Sequence, residues 1–225
     1  MTISKLPIPS RRGFLCQAGL FGLNAASWPA FGAVKARAPL NFIAYRNGSR
    51  LGFHRIDFSE DGERLTVDIE IAFDVKLAFI PLYRYRHRNY EVWEDGRLVS
   101  LKSETDDNGD AFKVRVNRQG DRLMVDGVDG KLEVPGNTLS TSYWNEAAMN
   151  SGVWLDTQEG KLVRSEVTKK SAEPVMVGGA SVAAMPYELV GDISCTLWYH
   201  DGRWVKLRFI GEDDSVIEYT LETVG

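Results

Sequence analysis

Between Leu65 and Phe79 every second residue is apolar: Leu65, Val67, Ile69, Ile71, Phe73, Val75, Leu77 and Phe79, with Thr66, Asp68, Glu70, Ala72, Asp74, Lys76 and Ala78 between them. A period of two puts all the apolar positions on one face of an extended chain, whereas a helix would scatter them around its circumference. The stretch therefore predicts a long strand, roughly 50 Å at about 3.3 Å per residue. A strand of that length has to curve or carry a bulge. One wet and one buried face also favours antiparallel pairing, because parallel sheets are covered on both sides.

Turn chemistry recurs along the rest of the chain. Asn47-Gly48, Asp61-Gly62, Asp95-Gly96, Asn108-Gly109, Gly120-Asp121, Asp129-Gly130, Glu159-Gly160 and Asp201-Gly202 all fall between apolar runs. Glycine and Asn/Asp tolerate the positive φ that tight hairpins need. The expected fold is all-β: an antiparallel meander forming a strongly curved sheet, half-barrel or barrel, with at most one or two short helices. The best helical candidate is a turn or two around Trp144 to Met149, and a second non-strand segment is expected over Gly178 to Met185. Residues 93–101 echo residues 199–207 around Asp95-Gly96-Arg97 and Asp201-Gly202-Arg203. Two hairpins solving one turn problem alike explain the echo; an ancient duplication is the alternative.

The N-terminus differs in kind from the rest of the chain. Residues 1–38 hold Lys5, Arg11, Arg12, Lys35 and Arg37 and no acidic residue. After Arg12 comes a mildly apolar stretch too short and too polar for a permanent membrane anchor. Ser10-Arg11-Arg12-Gly13-Phe14-Leu15 matches the twin-arginine pattern, so Arg11, Arg12, Phe14 and Leu15 are the expected signal-recognition residues. Residues 1–38 are read as this signal and 39–225 as one all-β domain, with cleavage after Ala36 or Ala38. Cys16 follows Leu15 rather than a small residue, so no lipid attachment is expected. The expectation is a periplasmic protein, soluble once the export machinery and the peptidase have acted.

Removing the leader takes five of the 27 basic residues and none of the 31 acidic ones, leaving 22 against 31 and a formal charge near −9. An acidic surface argues against nucleic acid, whose binding depends on clustered Lys and Arg. Cys195 then stands alone in an apolar strand pattern, read as a buried small hydrophobe. His54, His87 and His200 have no metal-ligand spacing, so no metal is expected, and His87, set among Arg84, Arg86 and Arg88, reads as a surface histidine. No nucleotide-binding glycine motif and no nucleophile elbow are present, so no cofactor is expected and the reading leans away from an enzyme.

Two features stand above this background. The strand from Leu82 to Trp93 carries Tyr83, Tyr85, His87, Asn89, Glu91 and Trp93 on one face and Arg84, Arg86, Arg88, Tyr90 and Val92 on the other. Its arginines either hold the head group of an anionic amphiphile or pair across the sheet with carboxylates. The second feature is an aromatic set, Trp93, Tyr143, Trp144, Trp154, Trp198 and Trp204, read as core plugs or as a stacking surface. Arg84, Tyr85, Trp93, Tyr143, Trp144 and Trp154 are the candidate ligand-binding residues.

Tyr45-Arg46-Asn47-Gly48-Ser49-Arg50-Leu51-Gly52, the run from Tyr90 to Leu98, Ser140-Thr141-Ser142-Tyr143-Trp144-Asn145 and the run from Trp198 to Val205 together resemble a family of uncharacterised exported proteins of Gram-negative bacteria, classified only as a domain of unknown function. The resemblance implies an exported β protein and carries no established activity or catalytic residue. By analogy of architecture, such meanders resemble the half-barrels of lipoprotein carriers, whose concave face shelters acyl chains. The leading expectation is a binding or carrier module for a lipid-like or amphiphilic ligand. The alternatives are a hydrolase acting on envelope glycan or ester substrates and a structural partner of another envelope protein.

Overall fold

The computed structural model describes residues 37–77, 80–211 and 213–223. Arg11, Arg12, Phe14, Leu15 and Cys16 lie outside the described residues, as does Phe79. From Leu40 onward the chain runs as hairpins: β1 (Leu40–Arg46), β2 (Ser49–Asp61), β3 (Arg64–Leu77), β4 (Ile80–Glu94), β5 (Arg97–Asp107), β6 (Asp110–Gln119), β7 (Arg122–Gly127) and β8 (Gly130–Pro135). A looser stretch comes next, with β9 (Leu139–Ser140), a 3-10 helix (Glu146–Asn150) and β10 (Val153–Leu155). The chain then returns to hairpins through β11 (Leu162–Lys169), β12 (Glu173–Val177), β13 (Ala180–Gly191), β14 (Cys195–His200), β15 (Arg203–Ile210) and β16 (Val216–Leu221).

These strands form one curved, unclosed sheet in the order β8-β7-β6-β5-β4-β3-β2-β1-β16-β15-β14-β13-β11-β10-β9, with β12 paired to β13. β1 and β16 join the two runs of hairpins, Phe42 opposite Leu221 and Ala44 opposite Tyr219. The long alternating stretch is β3, with Val67, Ile69 and Phe73 buried and Asp68 and Asp74 exposed. The short helix lies where the sequence places it, and Asn145 caps it, accepting from the Ala147 N–H (3.1 Å). The expected non-strand segment from Gly178 to Met185 is instead the β12–β13 hairpin, Val177 pairing with Ala180 around Gly178-Gly179. Two adjacent glycines look like a loop in sequence, but here they form only its tight turn.

Three hairpins share one device. Asn47-Gly48, Asp95-Gly96 and Asp201-Gly202 all have positive φ at both central positions, the turn whose twist matches its flanking strands. In each the ladder then skips one residue: Leu51, Val99 and Val205 lie between paired neighbours. Such a bulge sharpens the local bend. The device at Asn47 lies outside the echo between 93–101 and 199–207, so local turn chemistry is enough to account for the echo.

The interior is packed by one contiguous cluster that includes Phe42, Ile56, Leu101, Trp154, Leu197, Tyr199 and Trp204. Where the two ends of the sheet approach, the β7–β8 turn meets the loop between β10 and β11. Val128 N–H donates to the Glu159 carbonyl (2.9 Å). A Cβ on Gly160, whose φ is +78°, would lie 2.9 Å from Gly127 Cα and 3.0 Å from a Val114 methyl. Gly160→Ala should therefore cost about 2–4 kcal/mol through the left-handed backbone and the clash together. Scanning calorimetry should show the melting temperature lowered by roughly 5–15 °C; a decrease of less than about 2 °C would show that this contact is slack.

Candidate functional site

β4 sorts the chemistry of the protein onto two faces. Its inner face carries His87, Asn89, Glu91 and Trp93, all buried. The Glu91 carboxylate is wholly enclosed and accepts four hydrogen bonds: from Asn89 Nδ2 and Ser140 Oγ on Oε1 (both 2.9 Å), and from Trp93 Nε1 (2.9 Å) and Trp144 Nε1 (3.1 Å) on Oε2. Asn89 and Trp93 flank it along the same strand, while Ser140 and Trp144 reach in from the segment around the 3-10 helix. The carboxylate thus ties that segment to the sheet. Trp93 and Trp144 meet edge to face above it, with ring centroids 5.2 Å apart. The space around Ser140, Ser142 and Trp144 leaves no room for a water molecule.

His54, Ile71, His87 and Thr105 lie opposite one another across β2 to β5. His87 Nδ1 pairs with Thr105 Oγ1 (2.8 Å). Among the described residues His54 has no hydrogen-bond partner on either ring nitrogen, and it packs instead against Phe42, Trp204 and Tyr219. Burial lowers both imidazoles from 6.5, His54 to about 3 with a smaller push from His87, and His87 to about 4. The expectation of a surface His87 is therefore corrected. Its arginine neighbours face outward, and the alternation of the strand turns the imidazole in.

Of the six candidate ligand-binding residues, Trp93, Tyr143 and Trp144 lie together around one closed space, and the set as a whole does not form one site. Trp93, Trp144 and Trp154 belong to the core, Trp154 donating its indole N–H to the Ala148 carbonyl (2.8 Å). Tyr143 is half-buried with φ +60°, at the centre of a three-residue turn closed by Trp144 N–H on the Ser142 carbonyl (2.8 Å). A bulky residue in that region is strained, and here it is held by Tyr199, whose hydroxyl donates to the Tyr143 carbonyl (2.8 Å). Tyr85 is half-buried and donates its hydroxyl to Gln158 Oε1 (2.9 Å); burial raises its pKa further above the ordinary phenol range. Arg84 stands on the outer face, paired with Asp106. Cys195 opens β14 half-buried, and burial pushes its thiol up to about 12.

The outer face of β2 to β6 forms a trough of about 630 Å3, within the range of small-molecule sites. Phe53, Ala72, Arg86, Asp106 and Ala111 stand in one cross-strand row along it and Glu70, Arg88, Glu104 and Lys113 in a second, with Asp74 beside them. The close approach of β2 to β3 shapes one edge: a Cβ on Gly52 would fall 1.9 Å from the Ala72 carbonyl oxygen, so only glycine fits there. The sequence puts Arg86 and Arg88 on one face with Arg84, and all three do pair with carboxylates across the sheet: Arg84 with Asp106, Arg86 with Asp74 and Arg88 with Glu70. Phe53, Ala72 and Lys113 carry no signal in the sequence, because their neighbourhood exists only once five strands lie side by side.

Comparison with known proteins places the fold. The crystal structure of a beta-barrel-like protein of domain of unknown function DUF1849 from Brucella abortus is similar, with a TM-score of 0.56 and 11% identity over 84% of this chain and 98% of that one. No curated protein matches the sequence. The profile of a domain of unknown function, DUF6134, matches residues 42–222, from within β1 to just past β16. With four-fifths of its length matched from one end of the sheet to the other, the chain belongs to the DUF6134 family.

Proposed function

We propose that this protein is a binding module that takes an amphiphilic small molecule on the outer trough of β2 to β6, and that it does so in the periplasm after export by the twin-arginine route. The trough carries the reading. It is large enough for a small ligand, and its lining mixes apolar Phe53, Ala72 and Ala111 with charged side chains. The side of the sheet that would shelter an acyl chain in a half-barrel carrier is here filled by its own side chains, Trp154, Trp204, Tyr199 and Phe42 among them. The outer surface is thus the better place for a ligand. A hydrolytic reading has less support, since Ser140 and Ser142 lie with Glu91 beneath Trp93 and Trp144, closed to substrate.

Titration calorimetry of the mature protein with dodecyl amphiphiles, each below its micelle concentration, tests the proposal. Saturable binding of one molecule in the micromolar range is expected. Ala72→Gln, which puts a longer side chain into the trough between Phe53 and Arg86, should weaken it at least tenfold while leaving the melting temperature within about 2 °C, as surface substitutions usually do. Binding that ignores Ala72→Gln would place the ligand elsewhere, and no saturable binding at all would remove the reading.

A further inference from the structure

The chain enters β1 across a second recess, which shares no lining residue with the trough. It lies between the β2–β3 turn, the β4–β5 turn and the start of the 3-10 segment, with Glu60, Glu63, Arg64, Trp93, Trp144 and Asn145 on its walls. Arg37 is seated there: its Cζ stands 5.4 Å from the centre of the Trp144 ring and its Nε is paired with Glu60 Oε1 at 3.2 Å. A guanidinium at that distance from an indole is attracted by the ring quadrupole. The indole is fixed, since its N–H is bound to Glu91 (3.1 Å) and Phe58 and Trp93 meet it edge to face, with centroids 5.7 and 5.2 Å away. Without Arg37 the walls carry Glu60 and Glu63 against Arg64, which is itself paired with Glu94 (3.1 Å). The recess is thus built for a cation. Arg37 does not fill it: about 240 Å3 stays open beside it. Nor is it locked in, because its side chain is 53% exposed and an exposed pair exchanges readily. What keeps it in place is a short tether. Two residues on, the Pro39 carbonyl accepts from Arg203 Nη2 (2.9 Å), and Leu40 pairs with Ile56 in the sheet.

We infer that this recess is a binding site for the guanidinium group of an arginine side chain, and that Arg37 is a tethered occupant that holds it closed. An arriving arginine takes the place of Arg37 over Trp144 and against Glu60, with its stem and backbone in the open space alongside. A guanidinium suits the seat better than an ammonium, because it is planar, weakly hydrated and stacks on an indole face. Cleavage of the leader after Ala36 would keep Arg37 as this occupant, and cleavage after Ala38 would remove it and open the site.

The test follows the Trp144 indole N–H resonance of the mature protein beginning at Arg37 during titration with N-acetylarginine amide. N-acetylcitrulline amide, of nearly the same shape without the charge, and N-acetyllysine amide are the comparisons. Arg37→Ala should bind the arginine derivative saturably and at least tenfold more tightly than wild type, in which Arg37 competes at the high effective concentration of a short tether. The citrulline and lysine derivatives should bind Arg37→Ala at least tenfold more weakly. Adding Glu60→Gln to Arg37→Ala should weaken the arginine derivative by a similar factor. Equal binding by wild type and Arg37→Ala overturns Arg37 as the occupant. Citrulline or lysine derivatives as tight as the arginine one overturn the choice of guanidinium, and no saturable binding to Arg37→Ala removes the site. All of these outcomes are independent of the dodecyl titrations that test the trough.

Discussion

Glu91→Ala should leave the protein unable to hold its native fold at ordinary temperatures. The side chain is fully enclosed, and its two oxygens satisfy four donors, from Asn89, Trp93, Ser140 and Trp144. Truncation strands those donors, and each stranded group costs roughly 1–3 kcal/mol. Ser140 can turn to Ser142, 2.6 Å away, but the two indoles and the amide donate to Glu91 alone among the described residues. The loss, about 4–8 kcal/mol, is comparable with the whole stability of a domain. Glu91→Gln keeps the shape and one acceptor oxygen, yet turns an amide N–H₂ toward at least one donor, so it should lose roughly 2–4 kcal/mol and still fold. Near-UV circular dichroism reports the Trp93–Trp144 contact directly. The expected order of melting temperatures is wild type, then Gln, then Ala, with the aromatic signal weakened in the Gln variant and abolished in Ala. An alanine variant within about 2 kcal/mol of wild type would mean that the four donors find water, and that the segment from 139 to 150 is not anchored through Glu91.

How much of this is legible in the sequence depends on range. The alternation of β3, the two faces of β4 and the turns at Asn47, Asp95 and Asp201 are properties of consecutive residues, and the structure has them all. Which face of β4 points inward is not legible. One face offers His87, Asn89 and Glu91 among aromatics and the other three arginines, and no hydropathy argument separates two polar faces. Burial of Glu91 needs donors 49 and 53 residues away, at Ser140 and Trp144, and these meet it only after the whole meander has formed. The trough shows the same dependence on distance. Arg86 and Arg88 are visible as a basic stripe, but the apolar part of the lining comes from Phe53, Ala72 and Ala111 on three other strands. The aromatic set suits a core and a stacking surface equally well by sequence, and packing resolves five of its members, Trp93, Trp144, Trp154, Trp198 and Trp204, as core.

Mild acid should unfold this protein, and His54 and His87 should be the cause. Both imidazoles are buried and neutral in the fold, held down to about 3 and about 4 chiefly by loss of solvent, against 6.5 when exposed. The unfolded chain therefore binds protons that the folded chain refuses, and stability falls as pH drops below 6.5 until the folded values are reached. Each refused proton costs about 1.4 kcal/mol per pH unit, so the two groups together give a slope of about 2.7 kcal/mol per pH unit through that window. By about pH 5 the loss is on the order of 4 kcal/mol. The groups facing His54 cannot offset it: Phe42 and Trp204 do not titrate, the Tyr219 phenol is pushed further above its ordinary value by burial, and His87 repels a second positive charge. Carboxylates such as Asp213, held at about 2 against 3.8 when exposed, begin to matter only near the acid end of the window.

His54→Phe separates this account from general acid sensitivity. The phenyl ring keeps the contacts with Phe42, Trp204 and Tyr219 and removes two ring nitrogens that have no partner among the described residues. That exchange should gain roughly 1–2 kcal/mol at about pH 7. Because the variant also loses one of the two proton-refusing sites, its advantage should widen to about 3–4 kcal/mol at about pH 5. Urea titrations at roughly pH 7, 6 and 5 measure both quantities. A wild-type stability that stays flat across that range, or a variant whose advantage does not grow as pH falls, would show that acid reaches the fold through other groups.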